Sequence, residues 1–207
     1  MKHLSLLFSA VGMIAMSLSH GYAQEASTEV RVAVKGVKVQ AQNTPQFNVQ
    51  NVVDKRWKPK VWLEIDVDFE AKKAPKEGDK SPVIDSLEFR YFIGLNKTAA
   101  DGKAIVLTAN ITYKNIVEKD EQHALAFVAP SALTRVLEKT SFSNADVKAW
   151  GVEIYKGGAV AGFASSVGQN RWWAEIEKFS VVSDVLLSKP KTPFATLWGD
   201  YDLEAAE

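Results

Sequence analysis

The sequence predicts an all-β protein: a two-sheet antiparallel sandwich with one short helix and an extended C-terminal strap. Three observations predict it. Most segments alternate apolar and polar residues, turn signals recur about every ten residues, and only one stretch has helical periodicity.

In order along the chain, "VRVAVKGVKVQ" alternates with period two, and Gly36 marks a bulge where the rhythm bends. In "VWLEIDVDFE", residues 61–70, the side chains of Val61, Leu63, Ile65, Val67 and Phe69 point one way. Trp62, Glu64, Asp66, Asp68 and Glu70 point the other, which predicts a half-buried strand with one wet face. After a polar loop at 71–82, "DSLEFRYFIGLN" and "KAIVLTANITYKNI" form the best hairpin candidate, turning at Ala100-Asp101-Gly102. "HALAFVAP" is a strand ended by Pro130, and Ser131 is placed to cap a helix over 132–139 with Leu133, Val136 and Leu137 on one side. "KAWGVEIYKGGAVAGFASS" reads as two strands joined at Lys156-Gly157-Gly158. "NRWWAEIEKFSVVSDVLLS" supplies the last strand or pair, its first half also fitting a helical turn.

Residues 1–23 read as a secretory signal: Lys2, an apolar run too short to span a bilayer, then Gly21-Tyr22-Ala23 before a mature start at Gln24. Residues 24–207 are then expected to form a single sandwich domain, with 189–207 as a proline- and aromatic-rich tail. No stretch of the mature chain is long and apolar enough for a transmembrane helix. With no cysteine, stability in an oxidising compartment must come from packing, which suits a protein of the bacterial periplasm or cell surface. The 25 Lys and Arg, less Lys2, leave 24 against 25 acidic residues, so no field draws the chain to nucleic acid.

Catalytic chemistry has little to work with. Of three histidines only His123 survives removal of the leader, and its simplest reading is a polar strand start beside a charged loop. The alternating acids at 64–70 stand about 7 Å apart along one strand, a spacing that suits a solvated face opposite Lys or Arg better than a metal site. No phosphate loop or nucleophile elbow occurs, so the expectation is no enzyme activity, no cofactor and no metal.

Binding is carried by aromatics if by anything. Trp62, Trp172, Trp173, Phe194 and Trp198 are the candidate binding residues, Trp62 standing out because it shares the acidic face expected to be wet. In an extended "RWW" the two indoles face opposite sides, and a core or tail-docking role is the better reading for the pair. Pro190 and Pro193 make the tail a stiff strap rather than a helix. Phe194, Leu197, Trp198 and Tyr201 are too much apolar surface to leave in water, so the strap must pack on its own sandwich, with Trp172 or Trp173 as a candidate seat, or on another subunit.

The leader, the early "VRVAVKGVKVQ", the "RWWAEIE" segment and the closing "LLSKPKTPFATLWGDYD" together resemble a pilus-like family of secreted proteins from Akkermansia and its relatives, encoded beside type IV pilus assembly genes. The resemblance implies an immunoglobulin-like sandwich, a periplasmic or surface location, no enzymatic activity, and protein partners of a pilus or envelope assembly; an exposed tryptophan serving as a stacking surface makes host glycans the alternative partner class. Unlike pilins that retain an apolar N-terminal helix, this chain has its apolar segment ahead of a Gly-Tyr-Ala site. That points to an accessory, adhesive or minor subunit.

Overall fold

The computed structural model describes residues 29–48, 50–53, 55–78 and 80–206; the leader expected at 1–23 lies outside them. Among the described residues nine strands follow the predicted rhythm: β1 (Val30–Asn43), β2 (Val61–Lys73), β3 (Val83–Thr98), β4 (Ala104–Val117), β5 (Gln122–Val128), β6 (Val147–Lys156), β7 (Ala159–Ser165), β8 (Ser180–Ser183) and β9 (Leu186–Ser188). They form a four-stranded sheet, β1-β2-β5-β9, packed on a five-stranded sheet, β7-β6-β3-β4-β8.

The core lies between the sheets and is filled by the inward halves of the alternating segments. Leu63, Ile65, Val67 and Phe69 of β2 meet Leu87, Phe89, Tyr91 and Ile93 of β3, all essentially without solvent exposure. Two hydroxyls inside this core need partners, because a buried unpaired donor costs more than a hydrogen bond gains. Tyr113 Oη donates 2.7 Å to the Leu125 carbonyl and stands 3.0 Å from Tyr91 Oη, so the two phenols chain to the backbone of the opposite sheet. Burial raises both phenol pKa values.

The β3–β4 and β6–β7 hairpins fall where the turn residues put them, with Gly157 (φ 58°) and Gly158 (φ 83°) in the left-handed region at the second turn. At Gly36 the β1–β2 register skips a residue, forming the expected bulge.

Three expectations are corrected. The helix α1 spans Pro130–Leu137 with Ala129 as N-cap, so Ser131 caps nothing; Pro130 lies in the first turn, where its missing N–H is no loss and its fixed φ is already helical. β8 runs parallel to β4, so the sandwich is not purely antiparallel. The cause is the route of the chain. From β7 at one edge it crosses the outer face of the five-stranded sheet to β8 at the other, a crossover rather than a hairpin.

The third correction concerns the tryptophans in that crossover. Residues 171–174 take the turn that the sequence left open beside a strand, so the two indoles do not face opposite sides but lie on the same sheet face. Gly94 of β3 and Gly151 of β6 make the trough that receives them. A Cβ at Gly151 would fall 2.1 Å from the Trp173 ring, and one at Gly94 would stand 3.3 Å from that of Trp172. Trp173 is buried, stacked 5.1 Å from Phe92, while Trp172 is half-buried and donates its Nε1–H to the Trp150 carbonyl at 3.3 Å.

Candidate functional site

The other outer face, that of the four-stranded sheet, has the most developed surface. In register order, β1 contributes Gln42, Gln40 and Lys38 opposite Trp62, Glu64 and Asp66 of β2, which in turn face Phe127 and Leu125 of β5 beside Glu64 and Asp66. Period-two alternation puts all of these on one side. That side is not wet, as the sequence suggested: Trp62 is 9 % exposed, Glu64 and Asp66 5 % each.

The C-terminal tail covers it. Phe194, wholly buried, stacks on Phe127 at 4.6 Å and meets Trp62 edge-on at 5.7 Å, forming with Leu125 and Leu187 a second small core outside the sandwich. The tail therefore does pack on its own sandwich, but on β2 and β5 and not on Trp172 or Trp173. It is also less extended than two prolines suggested, since 3₁₀ turns form at Lys189–Lys191 and Gly199–Tyr201. Proline's φ suits a 3₁₀ turn as well as a strand. Lys189 and Asp202, both nearly buried, close the tail on itself with a 2.5 Å ion pair.

Beyond the small core, Tyr201 reaches Asp66. Its Oη donates to Asp66 Oδ2 at 2.8 Å, and its ring stacks on the His123 imidazole at 4.1 Å. His123 Nδ1 donates to the other Asp66 oxygen at 2.9 Å, so one carboxylate holds both rings. Burial raises the Tyr201 pKa, and the hydrogen-bonded Asp66 carboxylate adds to it. The end of the chain then crosses to the other sheet: Leu203 N–H donates to the His123 carbonyl, and Ala206 N–H to that of Thr112 on β4.

Between the tail and β1 an open groove of about 710 Å³ remains, lined by Lys38, Gln40, Gln42, Glu64, Asp66, Leu125, Trp198 and Tyr201. Trp198, 41 % exposed, is held at its rim by a left-handed backbone (φ 62°) that a bulky residue seldom adopts. On the groove floor, Glu64 Oε1 accepts from Gln40 Nε2 at 2.8 Å, but Oε2 is buried without a partner. The groove thus sets an exposed indole at its rim beside the amides of Gln40 and Gln42 on one wall, a flat apolar face next to hydrogen-bonding groups.

Burial raises the Glu64 pKa from its ordinary value; the Gln40 hydrogen bond opposes this, and the Asp66 charge reinforces it. The folded state therefore holds the Glu64 proton more tightly than the unfolded chain. The stability this group contributes is present in acid and lost as pH rises through its folded pKa. Glu64→Gln should accordingly gain Tm over the wild type near pH 7 and gain less at about pH 4. An equal difference at both pH values, in melts of the two proteins, would show that the carboxylate carries no such cost.

Of the five tryptophan and phenylalanine candidates read from the sequence, the structure leaves Trp198 in position to touch a ligand. Trp62, Trp173 and Phe194 are buried in packing roles, and Trp172 lies on the opposite side of the molecule. Trp57, in the 44–60 loop, is 49 % exposed but outside the groove. The sequence places Tyr201 in the strap without marking it as a site residue, and the groove's amides carry no signal beyond the polar alternation that Lys38, Gln40 and Gln42 share on β1.

A protein-family model matches residues 23–207 of the chain. No curated protein is significantly similar. Among solved structures, a crystal structure from Akkermansia muciniphila matches with a TM-score of 0.71 at 23 % identity, covering 86 % of this chain and 94 % of that one. At that identity the match establishes the shared fold.

Proposed function

We propose, because the chain belongs to the Akkermansia-type pilus-like protein family, that it is a non-enzymatic interaction module of a pilus-like system in the bacterial periplasm or on the cell surface. Its partners are protein components of that assembly, and they dock on the groove of the four-stranded sheet. The observation that carries this reading is the exposed Trp198 at the rim of a groove that the chain's own tail helps to build and leaves open.

The sheet edges are poorer docking sites. β1 is capped at Ala41, whose N–H donates 2.8 Å to Asn144 Oδ1, and its first half meets β7 so closely that a Cβ at Gly162 would stand 2.5 Å from the Val32 carbonyl oxygen. At the other edges β8 and β9 are only 4 and 3 residues long. Short or covered edges resist strand addition. The lone imidazole among the described residues, His123, is committed to Asp66 and stacked on Tyr201, an arrangement suited to holding the tail.

Captures from envelope extracts should recover a pilus assembly component with the wild-type chain and lose it with Trp198→Ala. Recovery of no such component by the wild type, together with monomeric behaviour at high concentration, would overturn the reading.

A second reading is a glycan-binding module, favoured by the same rim indole beside the amides of Gln40 and Gln42. It predicts a saturable change in tryptophan fluorescence on titration with mucin glycans that Trp198→Ala abolishes and Trp172→Ala retains. Silence across a broad glycan panel removes it.

A further inference from the structure

We propose that Asp68, Glu121 and His123 form a binding site for a divalent cation of the zinc class, next to the docked tail and separate from the groove. Asp68 on β2 and His123 on β5 are directly opposed in the antiparallel register, which puts their side chains on the same face and within reach of one another. Glu121 stands just before β5, and its Oε1 is 3.7 Å from His123 Nε2.

One donor atom from each of the three residues lies within 4.8 Å of the other two. Metal–ligand bonds to such donors are about 2.0–2.2 Å, so two ligands of one ion can stand at most about 4.4 Å apart. The cluster is within a small side-chain adjustment of that limit. Glu121, 69 % exposed at its side chain, is free to make it.

Two observations outside this spacing point to a cation. First, His123 is a prepared ligand. Its side chain is only 12 % exposed, and donation from Nδ1 to Asp66 fixes the ring with Nε2 directed away from that carboxylate. A carboxylate behind a histidine in this way is the outer support commonly found at metal-bound imidazoles. Second, Asp68 has an oxygen, Oδ1, sealed from solvent with no hydrogen-bond partner. A buried unpaired carboxylate oxygen is costly, and a cation beside it offsets that cost.

The ligand set decides the class of ion. One imidazole with two carboxylates suits zinc or manganese, whereas calcium and magnesium take all-oxygen shells. The site also bears on the tail. Tyr201 lies on the His123 ring and Leu203 hydrogen-bonds its backbone, so an ion that fixes His123 strengthens the seat of residues 201–203.

The test uses untagged protein stripped with a chelator and dialysed, titrated with ZnCl2, MnCl2 and CaCl2 by calorimetry and followed by thermal melts. Zinc should bind saturably at one equivalent, far more tightly than calcium, and raise Tm by about 5–10 °C at roughly a hundredfold excess over its Kd. Glu121→Gln, at an exposed position, should keep the metal-free Tm and bind zinc at least about tenfold more weakly, with Asp68→Asn weaker still. Absence of saturable binding, a preference for calcium, or wild-type zinc affinity in Glu121→Gln would each overturn the proposal.

Discussion

Removing residues 189–207 is expected to lower the Tm by more than roughly 10 °C. Phe194 alone fills a fully buried site between Phe127 and Trp62, and truncating such an aromatic costs about 3–5 kcal/mol. In a chain of this size each kcal/mol moves Tm by about 2–4 °C. Deletion also strips Trp62, Leu125 and Leu187 of cover, removes the Tyr201 hydroxyl from Asp66, and cuts the hydrogen bonds that Leu203 and Ala206 make to β5 and β4. The loss should therefore exceed that of Phe194→Ala measured beside it. If the truncated protein melts within about 3 °C of the full chain, the tail is a dispensable arm and the small core under it contributes nothing.

The next largest effect is expected at Lys189. Its ammonium and the Asp202 carboxylate, with side chains 8 % and 6 % exposed, face each other at 2.5 Å. Breaking such a pair from one side leaves a charge in a poor solvent and costs about 3–5 kcal/mol. Lys189→Met should therefore lose nearly as much stability as Phe194→Ala, and Lys189→Met combined with Asp202→Asn should recover part of it.

The pH dependence separates this cause from lost packing. Burial raises the Asp202 pKa, with Lys189 opposing, so taking Lys189 away raises it further. A carboxyl that is more basic folded than unfolded stabilises in acid and loses that contribution as pH rises. The defect of Lys189→Met should thus be larger near pH 7 than at about pH 4. Equal defects at both values would assign the loss to the lysine's aliphatic stem.

The candidate site was legible only in fragments. The sequence pointed to the acidic alternation at Glu64 and Asp66 and to an aromatic tail, and each is half of the groove. Among the indoles it singled out Trp62 as the exposed one, and that expectation is corrected. Trp62 looked exposed because it alternates with acids, yet Thr44 accepts its Nε1–H at 3.1 Å and Phe194 covers its ring. Trp198, one of several aromatics in the tail, is the one at the rim because a left-handed backbone and the stack on Phe194 hold it there. No sequence rule places a tryptophan in that conformation.

What the chain determined by itself is local. Period-two alternation in 61–69, 87–95 and 105–113 specified which side chains enter the main core, and glycines at 157 and 158 specified where a hairpin turns, because strand pleat and turn conformation depend on neighbouring residues. Tertiary structure decided what lies on the outer faces. Asp66 is dry because Tyr201, 135 residues further along, lies over it, and Trp172 and Trp173 share a face because glycines on two separate strands open a trough for them. Alternation tells that a strand has two sides; whether the second side meets water depends on which distant segment returns to cover it, and no nearby residue carries that information.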